Sequence, residues 1–155
     1  MKLALALAAL IFAANVYAQD SGVIRKMSDN KFAPMAGLPA CVTLAVENGD
    51  PTKGAFVILF KAKSGCVIPW HWHTGAEHVM IVGGSAKIDT KGKEKSTALA
   101  LGPGGYAMLP GKHVHQFSCS SACTAFVSSD AAFDIHYVDA SGKEIPPDAA
   151  LAKKK

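Results

Sequence analysis

The sequence has little of what a membrane-spanning or nucleic-acid-binding protein needs. After its first 18 residues it contains no long apolar run, which argues against a transmembrane helix in the rest of the chain. It has no basic stripe with interleaved aromatic residues, and its formal net charge is only +4. Nucleic acid is therefore not an expected partner. The closing lysines at 153–155 are interpreted as a solvated end rather than a membrane-binding patch.

Two further absences narrow the fold and the chemistry. Beyond residue 18 no segment keeps a helical period over a useful length, which argues against a helical bundle. The sequence also offers no separate Ser-His-Asp or paired-carboxylate arrangement for catalysis. Half of the 155 residues are hydrophobic, so one domain with a real core is expected.

The first 18 residues have the composition of a secretory signal. Lys2 supplies a positive start, residues 3–12 are apolar, and residues 16–18 end in a small-residue cleavage site. We expect the segment to be removed and the protein to be periplasmic or secreted, without membrane attachment afterwards. An uncleaved N-terminal anchor is the less favoured alternative. Residues 19–40 are turn-rich and are predicted to form an N-terminal arm with little regular structure.

Four cysteines lie in the part of the chain that would be exported: Cys41, Cys66, Cys119 and Cys123. An even number in an oxidising compartment favours disulfides, and four cysteines allow three pairings. Cys119 and Cys123 can bridge a tight turn between two strands, which leaves Cys41 to pair with Cys66. The alternative is that some of them bind metal, but a Cys-x3-Cys spacing without a second cysteine pair makes a zinc knuckle a poor fit.

Short apolar and β-branched segments separated by Gly, Pro and Ser begin at Cys41 and predict an all-β sandwich or barrel over residues 41–140. The predicted strands are residues 42–46, 55–60, 66–73, 78–82, 85–90, 97–101, 106–109, 113–119, 123–127 and 135–138. On these strands Met80 and Met108 are predicted to be core residues. Residues 141–155 are polar, contain two adjacent prolines and are predicted to be a flexible C-terminal tail.

A cluster of histidines interrupts this apolar pattern. His71 and His73 are two residues apart, so on a strand both side chains point to the same face. Glu77 follows after a short turn. Imidazole and carboxylate groups together suit Fe, Mn, Co, Ni, Cu or Zn better than Ca or Mg. A fourth ligand is expected from the later stretch that holds His113 and His115, which again share a face.

Two stretches of the sequence resemble the two sequence motifs of the cupin superfamily. The first reads Gly65-x5-His71-x-His73-x3-Glu77-x6-Gly84, with every spacing matched. The second reads Gly104-x5-Pro110-x4-His115 and is a partial match. The family usually has Gly where this chain has Lys112, and Asn where it has Cys119. The resemblance covers about residues 42–138.

The resemblance implies a double-stranded β-helix, that is, a small jelly-roll barrel. It also implies one divalent transition metal inside the barrel, held by His71, His73, Glu77 and His115, because His115 rather than His113 stands at the family's ligand position. His113 is assigned either a supporting role behind the metal ligands or a place on the solvent-exposed rim.

Two kinds of function follow from this resemblance. The first is an enzyme that acts on a small molecule through the metal, by dioxygenase-like chemistry or by isomerase or lyase steps, with Glu77 as both ligand and proton acceptor. The second is a non-catalytic module that binds a metal or a small ligand for sensing, storage or delivery. An exposed strand edge also makes a homodimer a reasonable expectation.

Overall fold

The structure, a computed structural model, describes residues 22–91 and 96–152. It is built almost entirely of antiparallel strands. These are β1 (Val42–Gly49), β2 (Phe56–Ala62), β3 (Val67–Trp72), β4 (Glu77–Gly83), β5 (Ala86–Lys91), β6 (Ser96–Leu101), β7 (Tyr106–Leu109), β8 (His115–Cys119), β9 (Cys123–Ser129), β10 (His136–Val138) and β11 (Glu144–Ile145). A 3-10 turn at Met27–Asp29 precedes them and a short helix, α1 (Pro147–Leu151), follows them. Each predicted strand is present, with bounds shifted by a few residues.

The strands form two sheets that face each other. One has the order β1-β2-β9-β4-β7 and the other has the order β11-β10-β3-β8-β5-β6. Consecutive strands often lie in different sheets, as β3 and β4 do, so the chain crosses repeatedly between the two layers. This is a jelly-roll barrel, and the predicted fold class is confirmed.

Alternation of side chains builds the core between the sheets. On β4 the side chains of Val79 and Ile81 are buried, whereas those of Met80 and Val82 are 48% and 44% exposed. Apolar groups on the inner faces of both sheets meet in this way, and their removal from water stabilises the barrel. Gly84, which follows the last residue of β4, has φ of 75°, and a Cβ there would lie 1.9 Å from the carbonyl oxygen of Ala122. Glycine is therefore required at this turn.

Two disulfides join the sheets at one end of the barrel. Cys41, just before β1, is bonded to Cys66, just before β3. Cys119 at the end of β8 is bonded to Cys123 at the start of β9. This is the pairing that the sequence favoured. Disulfides of this kind are typical of an oxidising, exported compartment. The predicted signal at residues 1–18 lies outside the described residues.

The structure differs from the sequence-based prediction in two places. The segment predicted to be a flexible tail contains β11, which pairs with β10, and α1, whose Leu151 packs against the core. Pro147 accounts for the helix, because proline is well suited to a first helical turn. The prediction that Met80 and Met108 are core residues is also wrong, since they are 48% and 50% exposed on the outer face of the β4–β7 pair. No helix within the described ranges is long and apolar enough to cross a bilayer.

Candidate metal centre

The histidines of the two sequence motifs meet at the end of the barrel that lies away from the disulfides. His71 on β3 is paired directly with His115 on β8. His73 follows the last residue of β3, and Glu77 is the first residue of β4 in the opposite sheet. The cluster therefore draws on both sheets. Its position between them explains why His71 and His115 are each only 2% exposed.

An irregularity in the pairing of β3 places His71 inside the barrel. The pairing of β3 with β8 shifts register between Ile68 and His71, the interval that contains Pro69 and Trp70. Because of this irregularity, Ile68 and His71 are both buried although they are three residues apart. Strict alternation along the predicted strand would have placed them on opposite faces.

The three imidazoles form a group that could hold a metal ion. One ring nitrogen from each of His71, His73 and His115 lies within 4.8 Å of the others. The ring centroids of His71 and His115 are 4.1 Å apart, and those of His71 and His73 are 4.9 Å apart. The cluster thus brings three imidazole nitrogens together inside an apolar barrel.

Hydrogen bonds to the backbone fix the orientation of each ring. Nδ1 of His71 donates to the carbonyl oxygen of Pro69 at 2.6 Å, and Nδ1 of His115 donates to that of His113 at 2.9 Å. Nδ1 of His73 donates to the carbonyl oxygen of Asp134. A carbonyl only accepts, so each Nδ1 carries a proton, and in a neutral ring the Nε2 atom is then the nitrogen with the lone pair.

The second ring nitrogen of His73, Nε2, is buried and is left without a hydrogen-bond partner within the described part of the chain. Buried polar atoms are nearly always paired, so an unpaired one calls for a partner of another kind. A metal ion in the middle of the three rings would satisfy this lone pair, and the residues present therefore fit such an ion.

Glu77 supplies the negative charge of the cluster. Its carboxylate oxygens lie 3.6 Å from Nε2 of His73 and 3.4 Å from Nε2 of His115. Burial by itself would raise the pKa of Glu77, but His73 and His115 lower it to about 2. Burial, followed by the charges of His115 and His73, lowers the pKa of His71 to about 3. Glu77 is thus ionised and His71 neutral at physiological pH, which are the forms that bind metals.

The sequence identified only one of the residues that support the ring orientations. His113, for which a supporting role was one of two predicted alternatives, holds the ring of His115 through its backbone carbonyl. Asp134 was not predicted at all, and its carboxylate accepts from the backbone N–H of Thr74 at 2.8 Å and contacts Nε2 of His136 at 3.3 Å. His136 in turn stacks on Trp72, with ring centroids 3.8 Å apart. Asp134 is 61 residues from His73, so no local pattern could have indicated this contact.

A central cavity of about 40 Å³ opens beside the histidines. His71, His73, Glu77 and His115 contribute its polar atoms, and every other lining residue is aliphatic or aromatic. Phe133, from the loop between β9 and β10, borders both this cavity and a neighbouring cleft beside Gly75. Its ring centroid lies 5.5 Å from that of His73.

Comparisons with known proteins agree with this architecture. The sequence profile of the ChrR Cupin-like domain family matches residues 21–132. A search of curated proteins finds no match. Among solved structures, an RmlC-like cupin protein from Ralstonia eutropha JMP134 is 23% identical, with a TM-score of 0.60, and the match covers 78% of this chain and 74% of that one.

Two further similar structures carry names of known proteins. KdgF from Halomonas sp. is 15% identical with a TM-score of 0.57, over 71% of this chain and 94% of that one. Oxalate decarboxylase from Bacillus subtilis is 17% identical with a TM-score of 0.58, over 76% of this chain but only 31% of that one. At these identities the likeness establishes the fold alone.

Proposed function

The chain belongs to the ChrR Cupin-like domain family, and we propose that its barrel holds one divalent transition metal through His71, His73, His115 and Glu77. The observation that carries the proposal is the shared orientation of the three imidazoles. Each Nδ1 is engaged by a backbone carbonyl, which leaves the three Nε2 lone pairs inside the barrel. Backbone carbonyls are common partners for the outer nitrogen of a metal-binding histidine.

Three neutral nitrogens and one carboxylate suit Fe, Mn, Co, Ni, Cu or Zn. Four protein ligands leave one or two positions free on a five- or six-coordinate ion, as a catalytic site requires. A bound ion of this kind would supply Lewis-acid or redox chemistry to a molecule held in the cavity.

The residues of the chain have separate roles in this proposal. The histidines bind the ion, and their backbone partners, including the carbonyls of His113 and Asp134, orient the rings. Glu77 binds the ion and is the one carboxylate among the cavity-lining residues described, so it is the group that would accept or return a proton at its Oε atoms. The apolar wall excludes water and strengthens the electrostatic interactions within the site.

We propose that the protein is an exported metal-dependent enzyme acting on a small molecule, with oxygenase-like or lyase-type chemistry. The cavity beside the cluster offers space for a small molecule next to the ion, which supports an enzyme. Its small volume also supports the alternative, a module that binds a metal or small ligand without turnover. Export by cleavage after residue 18 is part of the same proposal, and the two disulfides support it.

Metal content and affinity test the ligand assignment. The mature chain, purified without chelators, is expected to contain about one transition metal per chain. His73→Ala is expected to lower metal affinity at least 100-fold. His78→Ala is the matched control, because His78 lies on the outer face of β4 and bonds Tyr106. Equal affinities of the two variants, measured by competition with a chelator, would refute the assignment.

Oxygen uptake by the metal-loaded protein then separates the two alternatives. A panel of small diols and diketones is added, and dissolved oxygen and products are followed. Turnover that is present in the wild-type chain and absent from His73→Ala favours the enzyme. Tight ligand binding without product from any compound in the panel favours the binding module.

A further inference from the structure

Among the described residues, none that lines the cavity beside the cluster could balance a negative charge in addition to that of Glu77. Its lining, as far as the chain is described, includes neither Lys nor Arg, and no hydroxyl or amide side chain. Lys112, which precedes the cavity-lining His115 in the sequence, is exposed and is not among the lining residues. Any charged ligand that enters must therefore be balanced by the ion and its protein ligands alone.

The balance of charge at the site is simple. A divalent ion contributes +2, Glu77 contributes −1, and histidines that bind through Nε2 are neutral, which leaves +1 in an apolar cavity. Isolated charge in apolar surroundings is costly. A ligand with one anionic donor brings the sum to zero. A dianion would leave −1 next to Phe60, Phe117 and Val127, none of which can compensate it.

The size of the cavity adds a second restriction. Because about 10–15 Å³ of such space holds one water molecule, a volume of about 40 Å³ accommodates the ion and only a small ligand. Phe133, together with His73 and Glu77, lies between this space and the neighbouring cleft, which has Gly75 and Ser129 in its lining. The Phe133 ring packs edge-on against Phe56 at 6.3 Å, and its backbone N–H donates to the carbonyl of Pro51 at 2.7 Å. The side chain is therefore held in place as a wall.

We propose that the site takes a small monoanionic ligand with an apolar body, such as a short monocarboxylate or an enolate, that it rejects dianions, and that Phe133 sets the size limit. This inference rests on the proposed metal site and specifies what that site binds. The net charge of the ion and Glu77 selects a ligand with one anionic group. The apolar wall favours an apolar remainder of the ligand, and Phe133 limits the width of that remainder.

Cobalt(II) in the site provides a probe that does not depend on turnover. Its visible absorption changes when a ligand binds to the ion, so affinities follow from titration of the cobalt-loaded full chain. Butyrate and succinate share a four-carbon chain and differ by one carboxylate. Butyrate is expected to bind at least tenfold more tightly than succinate. Succinate binding as tightly as butyrate, or more tightly, would overturn the charge argument.

The size limit is tested with acetate and the bulkier trimethylacetate. Phe133→Ala, or Phe133→Leu if the first variant is unstable, is expected to bind trimethylacetate at least fivefold more tightly than the wild-type chain does, with acetate affinity unchanged. Phe126→Ala on the outer face of β9 is the control and should alter neither affinity. An unchanged trimethylacetate affinity in both Phe133 variants would overturn the role of Phe133.

The two levels of the proposal fail in different ways. If the wild-type chain does not bind cobalt, or if His73→Ala binds it equally well, the metal site itself is wrong and the ligand class falls with it. If cobalt binds in a His73-dependent manner but butyrate and succinate are not distinguished, the metal site stands and only the ligand class is wrong.

Discussion

Gly111 and Lys112, in the loop before β8, set the backbone conformation that positions His115. The backbone N–H of Lys112 donates to the carbonyl of His73 at 2.8 Å, which ties the loop before β8 to the end of β3. A Cβ on Gly111 would lie 2.4 Å from the carbonyl oxygen of Thr74, so that position has no room for a side chain. Lys112 itself has φ of 63°, the one positive value among the described non-glycine residues. The chain thus carries a lysine in a conformation that favours glycine, at the place where the family usually has glycine.

Replacement of Lys112 by glycine should relieve this strain. A left-handed conformation costs a non-glycine residue about 1–2 kcal/mol. Glycine avoids this cost, but the unfolded chain gains conformational entropy at that position, which offsets part of the gain in stability. Lys112→Gly is therefore expected to raise the free energy of unfolding by up to about 1 kcal/mol, measured by urea denaturation. Lys63→Gly, an exposed loop lysine without a positive φ, should instead lower it slightly. A loss of stability in Lys112→Gly would contradict the strain argument.

The sequence and the structure agree least at the residues that support the cluster. The spacing of His71, His73 and Glu77 identified groups that the fold brings together, because ligand spacing is local. The carbonyl of Asp134 and the wall formed by Phe133 reach the site from the loop after β9. Such contacts depend on the packing of strands distant in sequence, which no local spacing encodes.

At the scale of elements, the positions of the strands were predictable from the sequence, but which face of each strand is buried was only partly predictable. Short β-branched runs between glycines gave every strand from β1 to β10, whereas the two-residue β11 and the one-turn α1 are too short to produce a pattern. Met80 and Met108 were assigned to the core because their strands are apolar, yet both lie on the outer face, Met80 on β4 and Met108 on the edge strand β7. Apolar composition marks a strand, but alternation within it determines the buried face.

The two disulfides should contribute unequally to stability. Cys41–Cys66 closes a loop with a sequence separation of 25, and Cys119–Cys123 one with a separation of 4. Loop-closure entropy then predicts losses of about 3.5 and about 2 kcal/mol when each pair is changed to alanine. Urea denaturation of the two double variants measures this. Metal affinity should be retained in both, because the disulfides lie at the opposite end of β3 and β8 from the histidines. A larger loss from the Cys119–Cys123 pair would contradict the loop-length argument.

At the scale of the whole molecule, burial of the cluster links folding to pH. Burial lowers the pKa of His71 to about 3 from 6.5, so between these values the unfolded chain binds the proton and the folded chain does not. The stability of the metal-free protein must therefore fall as pH falls through this window. Glu77, with a pKa of about 2 against 4.5, acts in the same direction at lower pH.

His136 acts oppositely and at higher pH. Burial alone would lower its pKa, but Glu144 and Asp134 raise it. Its contribution to the stability of the fold is therefore present below pH 6.5 and is lost as pH rises through the raised pKa.

Urea unfolding in the presence of a chelator tests this linkage. The free energy of unfolding is expected to decrease from pH 6.5 to pH 4 by up to about 1.4 kcal/mol per pH unit from His71. His71→Gln, which does not titrate, should show a shallower dependence over the same range. Equal slopes for the two proteins would mean that His71 is not held neutral in the barrel.

If the histidines of both sequence motifs bind one buried cation, the coordination of that cation must show it. X-ray absorption spectroscopy of the metal-loaded chain counts imidazoles and distinguishes sulfur from nitrogen or oxygen. About three imidazoles are expected, with oxygen in the remaining positions and no sulfur, since all four cysteines are in disulfides. Sulfur among the coordinating atoms, or fewer than two imidazoles, would mean that the two motifs do not share one cation.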